Sequence, residues 1–204
     1  GFTNKKMKNN FIVLIMLSAA WIHAADRPNI LFIFADDVGQ EVLQCYGGQS
    51  YQTPHLDELA RTGMKFNHAY SMPVCHPSRL TLMSGKYPFR HGKVTWGDYP
   101  KKEEAHTFSR YLQKAGYTTA IAGKWQINDF RLEPNALEKH GFDDWCMWTG
   151  YEAGNPPSNE RYGNAYIHTR AGSKTHKGKF GPDIYCDFLV DFIHANKAKP
   201  MMIY

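Results

Sequence analysis

Five consecutive residues, Cys75-His76-Pro77-Ser78-Arg79, place a potential nucleophile and a fixed cation close together. Pro77 has no N–H to lose and a φ suited to a first helical turn, so we expect a helix to begin there and to end at Gly85. Cys75 would then lie just before the helix N-terminus, where free N–H groups and the helix dipole favour an anion. Arg79 follows one turn later and can reach the same anion. The spacing therefore predicts an oxyanion site centred on a sulfur atom.

The position of the arginine argues against a cysteine-dependent phosphatase. Those enzymes use the pattern Cys-x-x-x-x-x-Arg, whereas Thr81 stands six positions after Cys75 in this chain. The arginine comes two residues earlier, so the site is of another kind.

Two adjacent carboxylates follow an apolar segment near the start of the chain. Residues 30–35 are apolar without alternation, which predicts a strand buried on both faces. Asp36 and Asp37 come at its carboxyl end, where open α/β sheets bind ligands, and two carboxylates suit Ca²⁺ or Mg²⁺. Neighbouring strand residues point to opposite faces, so both can meet one ion only if the chain turns there, and Gly39 is consistent with a turn. The alternative is a solvated strand end.

A lysine occupies the corresponding place after a second strand. Residues 117–122 read as a buried strand, followed by Gly123 and Lys124. The functional interpretation is a cation that offsets negative charge on a transferred group, and the alternative is a surface lysine at a strand end. Gln126 lies two residues further on and can donate a hydrogen bond, but it cannot transfer protons at neutral pH.

The Cys-x-Pro-Ser-Arg pattern resembles the signature of the type I sulfatases. Three further segments resemble that family in order and spacing, namely residues 29–37, 53–63 and 116–125, so the likeness covers nearly the whole chain. It implies an alkaline-phosphatase-like α/β fold, with a mostly parallel sheet flanked by helices and truncated at the C-terminus. Runs of apolar strands alternating with amphipathic helices independently predict a parallel α/β sheet.

The resemblance also implies a chemistry for each site residue. A maturation enzyme would convert Cys75 to formylglycine, whose hydrated aldehyde is the nucleophile. Asp36, Asp37 and the oxygen at position 75 would bind Ca²⁺ (or Mg²⁺), with the family's Asp-Asn pair missing from these 204 residues. Arg79 and Lys124 would be catalytic cations. Gln126 would bind substrate at a position where the family often has histidine, which leaves leaving-group protonation open.

The N-terminal residues 1–25 have the layout of a secretory signal peptide. Three lysines precede the apolar residues 11–17, and small residues follow up to Ala25. The apolar run is shorter than the ~20 residues that span a bilayer, so no stable membrane span is expected. Met7 is a better natural start than Gly1, which leaves residues 1–6 upstream. We therefore expect an exported protein, periplasmic or secreted, with residues 26–204 forming the N-terminal part of the catalytic domain.

The charge argues against a nucleic-acid partner. The chain has a net charge of +5, and Lys5, Lys6 and Lys8 supply three of these charges because residues 1–25 contain no acid, which leaves +2 for the remainder. No basic cluster occurs in that remainder, so the sequence does not predict the positively charged patch with which proteins bind nucleic acid. Export permits disulfides, and with Cys75 reserved for chemistry one pair among Cys45, Cys146 and Cys186 is possible and at least one thiol stays free. We favour the interpretation of these three as buried small hydrophobic residues.

The remaining segments complete the expected fold. Helices are predicted after the caps Thr53 and Thr107 and from Pro182 onward, residues 150–182 are predicted to form a long loop, and residues 200–204 to begin another buried strand. A chain that stops at the onset of a strand suggests a truncated reading frame.

The expected activity is hydrolysis of a sulfate ester in a sulfated small molecule or polysaccharide. Two alternatives stay open, a phosphonate or phosphate ester hydrolase of the same superfamily, and an inactive fragment or binding protein.

Overall fold

The computed structural model describes residues 27–91, 99–150 and 158–204. The predicted signal peptide lies outside these residues. No helix within the described ranges is long and apolar enough to cross a membrane.

A six-stranded sheet organises the described part of the chain. Its strands in chain order are β1 (Ile30–Leu31), β2 (Thr118–Lys124), β3 (Asp144–Trp148), β4 (Tyr166–Thr169), β5 (Gly172–Thr175) and β6 (Met201–Ile203). They are arranged in the order β1-β6-β2-β3-β4-β5. The first four strands in that order are mutually parallel, whereas β4 and β5 form an antiparallel hairpin at one edge. This mixed, mostly parallel sheet confirms the predicted α/β class.

Within the described residues, five α-helices connect and cover the strands, namely α1 (Pro54–Thr62), α2 (Cys75–Ser84), α3 (Phe108–Lys114), α4 (Ala136–Lys139) and α5 (Gly181–Ala195). Short 3₁₀ turns lie at Gln40–Val42, Gln44–Tyr46, Pro88–Arg90 and Lys101–His106. Helix α1 begins directly after Thr53, as predicted, and ends before Gly63; the predicted end of α2 at Gly85 is confirmed, and Gly85 has a φ of +66°. A residue without a Cβ adopts that left-handed conformation at no steric cost.

Alternation along the strands divides the core between the two faces of the sheet. Ile121, Met147 and Met202 pack on one face with residues from α2, α3 and α4. Ala120 and Ile203 pack on the other face with α5. Successive strand residues point to opposite faces, so β2 and β6 are packed on both sides.

The first strand differs from its prediction. Only Ile30–Leu31 is a strand, at the edge of the sheet, and the side chains of Leu31 and Ile33 are 59% and 71% exposed. The prediction of a strand over residues 30–35 buried on both faces is therefore wrong. Its apolar composition fits a doubly covered strand, but none of the described residues covers the outer face.

Three smaller expectations also need correction. Residues 166–175 of the predicted long loop form the β4–β5 hairpin, where Tyr166 and Ile167 are buried. Of the three cysteines interpreted as buried, Cys146 is buried, whereas Cys45 is half-buried and Cys186 is exposed on α5. The strand expected at residues 200–204 is confirmed as β6, which lies between β1 and β2.

A buried polar network lies beneath the loop that follows β2. The imidazole of His140 is fully buried and contacts the oxygen of the Asn128 amide at 3.1 Å, while the nitrogen of that amide donates to Glu133 at 2.7 Å. Because the Asn128 oxygen is an acceptor, the Nε2 of His140 carries the proton. Tyr99 and Trp125 enclose the imidazole with edge-on ring contacts at 4.4 and 5.1 Å. Burial lowers the pKa of His140 to about 3, and the positive charges of Arg110 and Lys139 act in the same direction.

We expect this histidine to make folding sensitive to acid. Its pKa is depressed in the folded state, so the unfolded chain binds one more proton between pH 6.5 and about 3. The free energy of unfolding should fall as pH drops through that window, by up to ~1.4 kcal/mol per pH unit from this group. Urea denaturation of the wild type and of His140→Gln across the window measures the difference in slope. Parallel pH dependences would contradict the assignment.

Candidate active site

Three elements bring their predicted site residues together at the carboxyl edge of the parallel strands. Asp36 follows β1, Lys124 ends β2, and Arg79 lies in the middle of α2. The Nζ of Lys124 donates to the Oδ2 of Asp36 at 2.5 Å. The Nη2 of Arg79 lies 3.7 Å from the Oδ1 of the same carboxylate. One carboxylate therefore faces two cations that sequence analysis had placed in the site on separate grounds.

Arg79 is held in a fixed orientation. Its side chain is buried, its Nη1 donates to the carbonyl oxygen of Lys124 at 2.7 Å, and its guanidinium lies 5.4 Å from the centre of the Phe34 ring. Its Nε has no hydrogen-bond partner among the described residues. Arg79 thus links α2 to β2, and within the described residues its Nε–H remains available as a hydrogen-bond donor. Sequence analysis predicted that Arg79 reaches back along its own helix toward the anion site at Cys75. It did not predict the hydrogen bond from Arg79 to β2.

The turn before Cys75 has an unusual backbone. Val74 has φ +60° and ψ 167°, a region that β-branched residues rarely occupy and that costs about 1–3 kcal/mol. The hydroxyl of Ser78 lies 2.8 Å from the carbonyl oxygen of Met72 and 2.9 Å from that of Val74, and its one proton is shared between these two acceptors, which holds the turn closed. Cys75 is the first residue of α2, so the predicted helix start at Pro77 is two residues late.

The Cys75 side chain is half-buried and its thiol is free. The strained Val74 turn and the Ser78 contacts fix the direction in which the chain enters the helix. These features place the cysteine at the N-terminal end of α2, where the first N–H groups lack intrahelical partners. The site residue is therefore positioned by local structure and remains accessible.

The chain turns at Asp37, as a metal shared by the two aspartates would require. Asp37 is exposed and has a φ of +55°. Asp37, Asp36 and Cys75 are not brought together, however, since no group of three His, Cys, Asp or Glu residues arranged for a metal occurs within the described ranges. Both Asp36 oxygens face cations instead. The predicted carboxylates are in place, but the structure does not assemble the predicted ligand set.

Gln126 follows β2 in a tight bend with a φ of +57°. Its Oε1 is buried and has no hydrogen-bond partner in the described part of the chain. The preceding residue, Trp125, donates its backbone N–H to the carbonyl oxygen of Trp148 at 3.2 Å, which holds the bend against β3. Within the described residues, no side-chain hydrogen bond joins Gln126 to Asp36, Arg79 or Lys124.

Sequence analysis missed Tyr204 as a site residue. It continues β6, with hydrogen bonds to Ala120 and Ala122 of β2. Burial raises the pKa of its phenol, the negative charge of Asp36 adds to this effect, and the positive charge of Arg79 opposes it. Its hydroxyl has no hydrogen-bond partner among the described residues. The sequence signal that could have indicated Tyr204 was its position directly after the short buried strand β6.

The comparison with protein families agrees with this arrangement. The family model described as Sulfatase matches residues 28–204. The chain belongs to the sulfatase family. That match includes Asp36, Asp37, Cys75 and Lys124, and the sheet has the mostly parallel order expected for this family's alkaline-phosphatase-like fold.

Several curated sulfatases are similar in sequence. Human steryl-sulfatase is 40% identical over 155 residues, which cover 70% of this chain and 25% of the relative. Canine N-acetylgalactosamine-6-sulfatase is 32% identical over 221 residues, covering 94% of this chain and 42% of the relative. N-acetylglucosamine-6-O-sulfatase of Bacteroides thetaiotaomicron is 35% identical over 125 residues, covering 61% and 21%. This sulfatase chain therefore spans less than half of the length of these relatives.

Solved structures give the same fold. The structure of BT4656 in complex with its substrate D-glucosamine-2-N,6-O-disulfate has a TM-score of 0.69 and 29% identity, covering 87% of this chain and 33% of that one. The crystal structure of Ps i-CgsB has a TM-score of 0.73 at 24% identity, covering 88% and 44%. The second likeness supports the fold alone.

Proposed function

We propose that this protein hydrolyses a sulfate ester of a sulfated carbohydrate, with formylglycine made from Cys75 as the nucleophile. The observation that carries the proposal is the cluster of Asp36, Arg79 and Lys124 at the edge of the sheet to which the Cys75 helix also contributes. Two relatives are named for 6-sulfated amino sugars, and one solved neighbour binds a sulfated glucosamine, which favours a carbohydrate substrate.

The net reaction adds water across the ester. The bond between sulfur and the bridging oxygen breaks, the alcohol oxygen receives one proton of water, and the hydroxyl oxygen of water ends on the released sulfate. The hydrated aldehyde at position 75 supplies an oxygen nucleophile for the attack on sulfur and allows a covalent two-step route. A free thiol has no second oxygen with which to expel the sulfate.

Two cations of this chain would stabilise the charge that develops during the attack. Arg79 is oriented by Phe34 and by the Lys124 carbonyl, and its guanidinium can donate to a sulfate oxygen without reorganising. Lys124 would leave its contact with Asp36 or share it with the sulfuryl group or the leaving oxygen. Gln126, whose side-chain oxygen has no hydrogen-bond partner in the described chain, would bind the substrate through its amide N–H groups.

The donor chemistry at the aspartate pair fits a hard divalent cation. Asp36, Asp37 and the oxygen at position 75 would hold Ca²⁺ (or Mg²⁺), which prefers carboxylate oxygen ligands, and the turn at Asp37 permits both carboxylates to face one side. When bound, the cation polarises the sulfate group and favours the anionic form of the nucleophile.

We propose further that residues 1–25 direct export to the periplasm or the exterior, and that residues 26–204 supply the N-terminal part of the catalytic domain. The partners in this account are a sulfated sugar or polysaccharide and a formylglycine-generating maturation enzyme. Because the chain spans less than half of its curated relatives, the activity belongs to the protein expressed from its complete gene.

The choice between sulfate and phosphate esters has a direct test. A matured protein from the complete gene should hydrolyse para-nitrophenyl sulfate with a kcat/KM at least about tenfold above that for para-nitrophenyl phosphate. A sulfate monoester carries one negative charge and a phosphate monoester carries two, so the two substrates probe the same site with different charge. Comparable or faster phosphate hydrolysis would contradict the sulfatase proposal and favour the phosphate ester alternative.

A further inference from the structure

A further cation, Arg161, lies near the carboxyl edge, and it has no acidic partner among the described residues. The guanidinium of Arg161 is 4.9 Å from the centre of a Trp148 ring and 5.6 Å from the centre of the Tyr162 ring. Among the described residues, no carboxylate lies within salt-bridge distance of it, and no side-chain hydrogen bond from it occurs. An arginine held by aromatic faces keeps its charge and its planar fork of donors. It is therefore prepared to bind an anion from outside.

The strand register places Arg161 close to the candidate active site. Trp148 is the last residue of β3 and is the register partner of Lys124, so the two residues lie side by side on adjacent strands. Paired residues of neighbouring parallel strands point to the same face of the sheet. Gly181, at the start of α5, donates its N–H to the carbonyl oxygen of Tyr162 at 2.7 Å. Because Arg161 packs on the Trp148 ring, it lies beside the strand end that carries Lys124.

Two exposed aromatic rings adjoin this cation. Tyr162 and Phe180 stack with their ring centres 6.3 Å apart and are 58% and 49% exposed. Aromatic rings with one face free offer apolar contact to a ligand while polar groups fix its orientation. A cation beside exposed rings matches a sugar that carries an acidic substituent.

We propose that Arg161, with Tyr162 and Phe180, recognises a second anionic group on the substrate, a sulfate or a carboxylate on the same sugar or on its neighbour. This subsite rests on the proposed function, because the reacting sulfate ester occupies the Asp36 cluster. The site therefore prefers carbohydrates with two acidic groups to those with one. Arg161 acts on specificity and takes no part in breaking the ester bond.

A second arginine provides a matched control. Arg170 lies 4.7 Å from the centre of a Trp145 ring, and its Nη1 donates to the carbonyl oxygen of Asp143 at 2.8 Å. Trp145 is near the first residue of β3, so this pair lies toward the opposite edge of the sheet. Arg161 and Arg170 share their chemistry, and only the former adjoins the site.

The experiment compares three substrates of the matured protein from the complete gene. They are a 6-sulfated amino sugar, the same sugar with a second sulfate, and the 6-sulfated sugar linked to a uronic acid. We expect Arg161→Met to lower kcat/KM for one or both of the doubly acidic substrates by about tenfold or more and to leave the singly sulfated sugar within about twofold. The affected substrate distinguishes sulfate from carboxylate recognition. Arg170→Met should change neither, and Arg161→Lys should recover part of the loss.

Equal losses on all three substrates, or no loss on any, would overturn the subsite. Binding separates this outcome from failure of the proposed function. If the protein releases no sulfate at all, calorimetric titration of the doubly sulfated sugar into a Cys75→Ala protein still reports Arg161, since affinity should fall about tenfold in the Arg161→Met background. Unchanged affinity there would overturn the proposal.

Discussion

Replacing Cys75 by alanine should abolish sulfate release from para-nitrophenyl sulfate by the matured protein, with a loss of about four or more orders of magnitude in kcat. The variant has no oxygen at position 75, so the covalent route is closed and only the cation cluster remains. Cys75 is half-buried with a free thiol, and its loss should change the free energy of unfolding by less than about 1 kcal/mol. Steady-state rates and thermal unfolding of the same preparations measure both effects.

Cys186→Ala is the matched control, because Cys186 is also a free cysteine but is exposed on α5. It should keep the wild-type rate. A Cys75→Ala protein that hydrolyses the ester at the wild-type rate would show that Cys75 is a packing residue. A loss of rate accompanied by unfolding would likewise indicate a packing role for Cys75.

Changing Asp36 to asparagine should reduce both activity and stability. The Asp36 carboxylate faces Lys124 at 2.5 Å and Arg79 at 3.7 Å, and the side chains of these cations are 12% and 6% exposed. Removing the negative charge leaves two largely buried cations uncompensated. We expect a loss of about 2 kcal/mol in the free energy of unfolding, below the range for fully buried pairs since Asp36 is partly exposed. The rate of sulfate release should fall by about a hundredfold or more.

The Asp37→Asn variant distinguishes the effect of metal binding from the effect of the Asp36 ion pairs. Asp37 is exposed, so this variant should lose calcium affinity and activity while unfolding like the wild type. Chelation followed by calcium addition should remove and restore the wild-type activity. Activity that survives chelation would contradict the metal assignment, and an Asp37→Asn protein with full calcium affinity would remove Asp37 from the ligand set.

Much of the candidate site was predictable because its residues lie at places with local signals. Asp36 and Lys124 each follow an apolar run, and parallel strands bring their carboxyl ends to one edge. Contacts between distant segments were not predictable. The hydrogen bond from Arg79 to the Lys124 carbonyl joins residues that are 45 positions apart, and no spacing rule indicates it. Tyr204 was missed for the same reason, since its neighbours Asp36 and Arg79 are brought to it by the sheet.

In the fold, too, the features with local sequence signals were predictable and those that depend on distant contacts were not. Pro54 and Gly63 delimit α1, and Gly85 ends α2, because these residues restrict or permit specific backbone angles. The errors occurred where the outcome depends on neighbours. Residues 30–35 have the composition of a doubly covered strand, yet burial depends on what packs against them. The β4–β5 hairpin was hidden because its residues include glycine, arginine and histidine, and pairing along the edge of β3 forms it.

The most direct test of the central claim is the mass of the tryptic peptide that contains residue 75. Cleavage after Lys65 and Arg79 releases residues 66–79. In a preparation from the complete gene, co-expressed with a maturation enzyme and active on sulfate esters, this peptide should be lighter by the difference between cysteine and formylglycine. A preparation that releases sulfate at its full rate while residue 75 remains an unmodified cysteine would contradict the account.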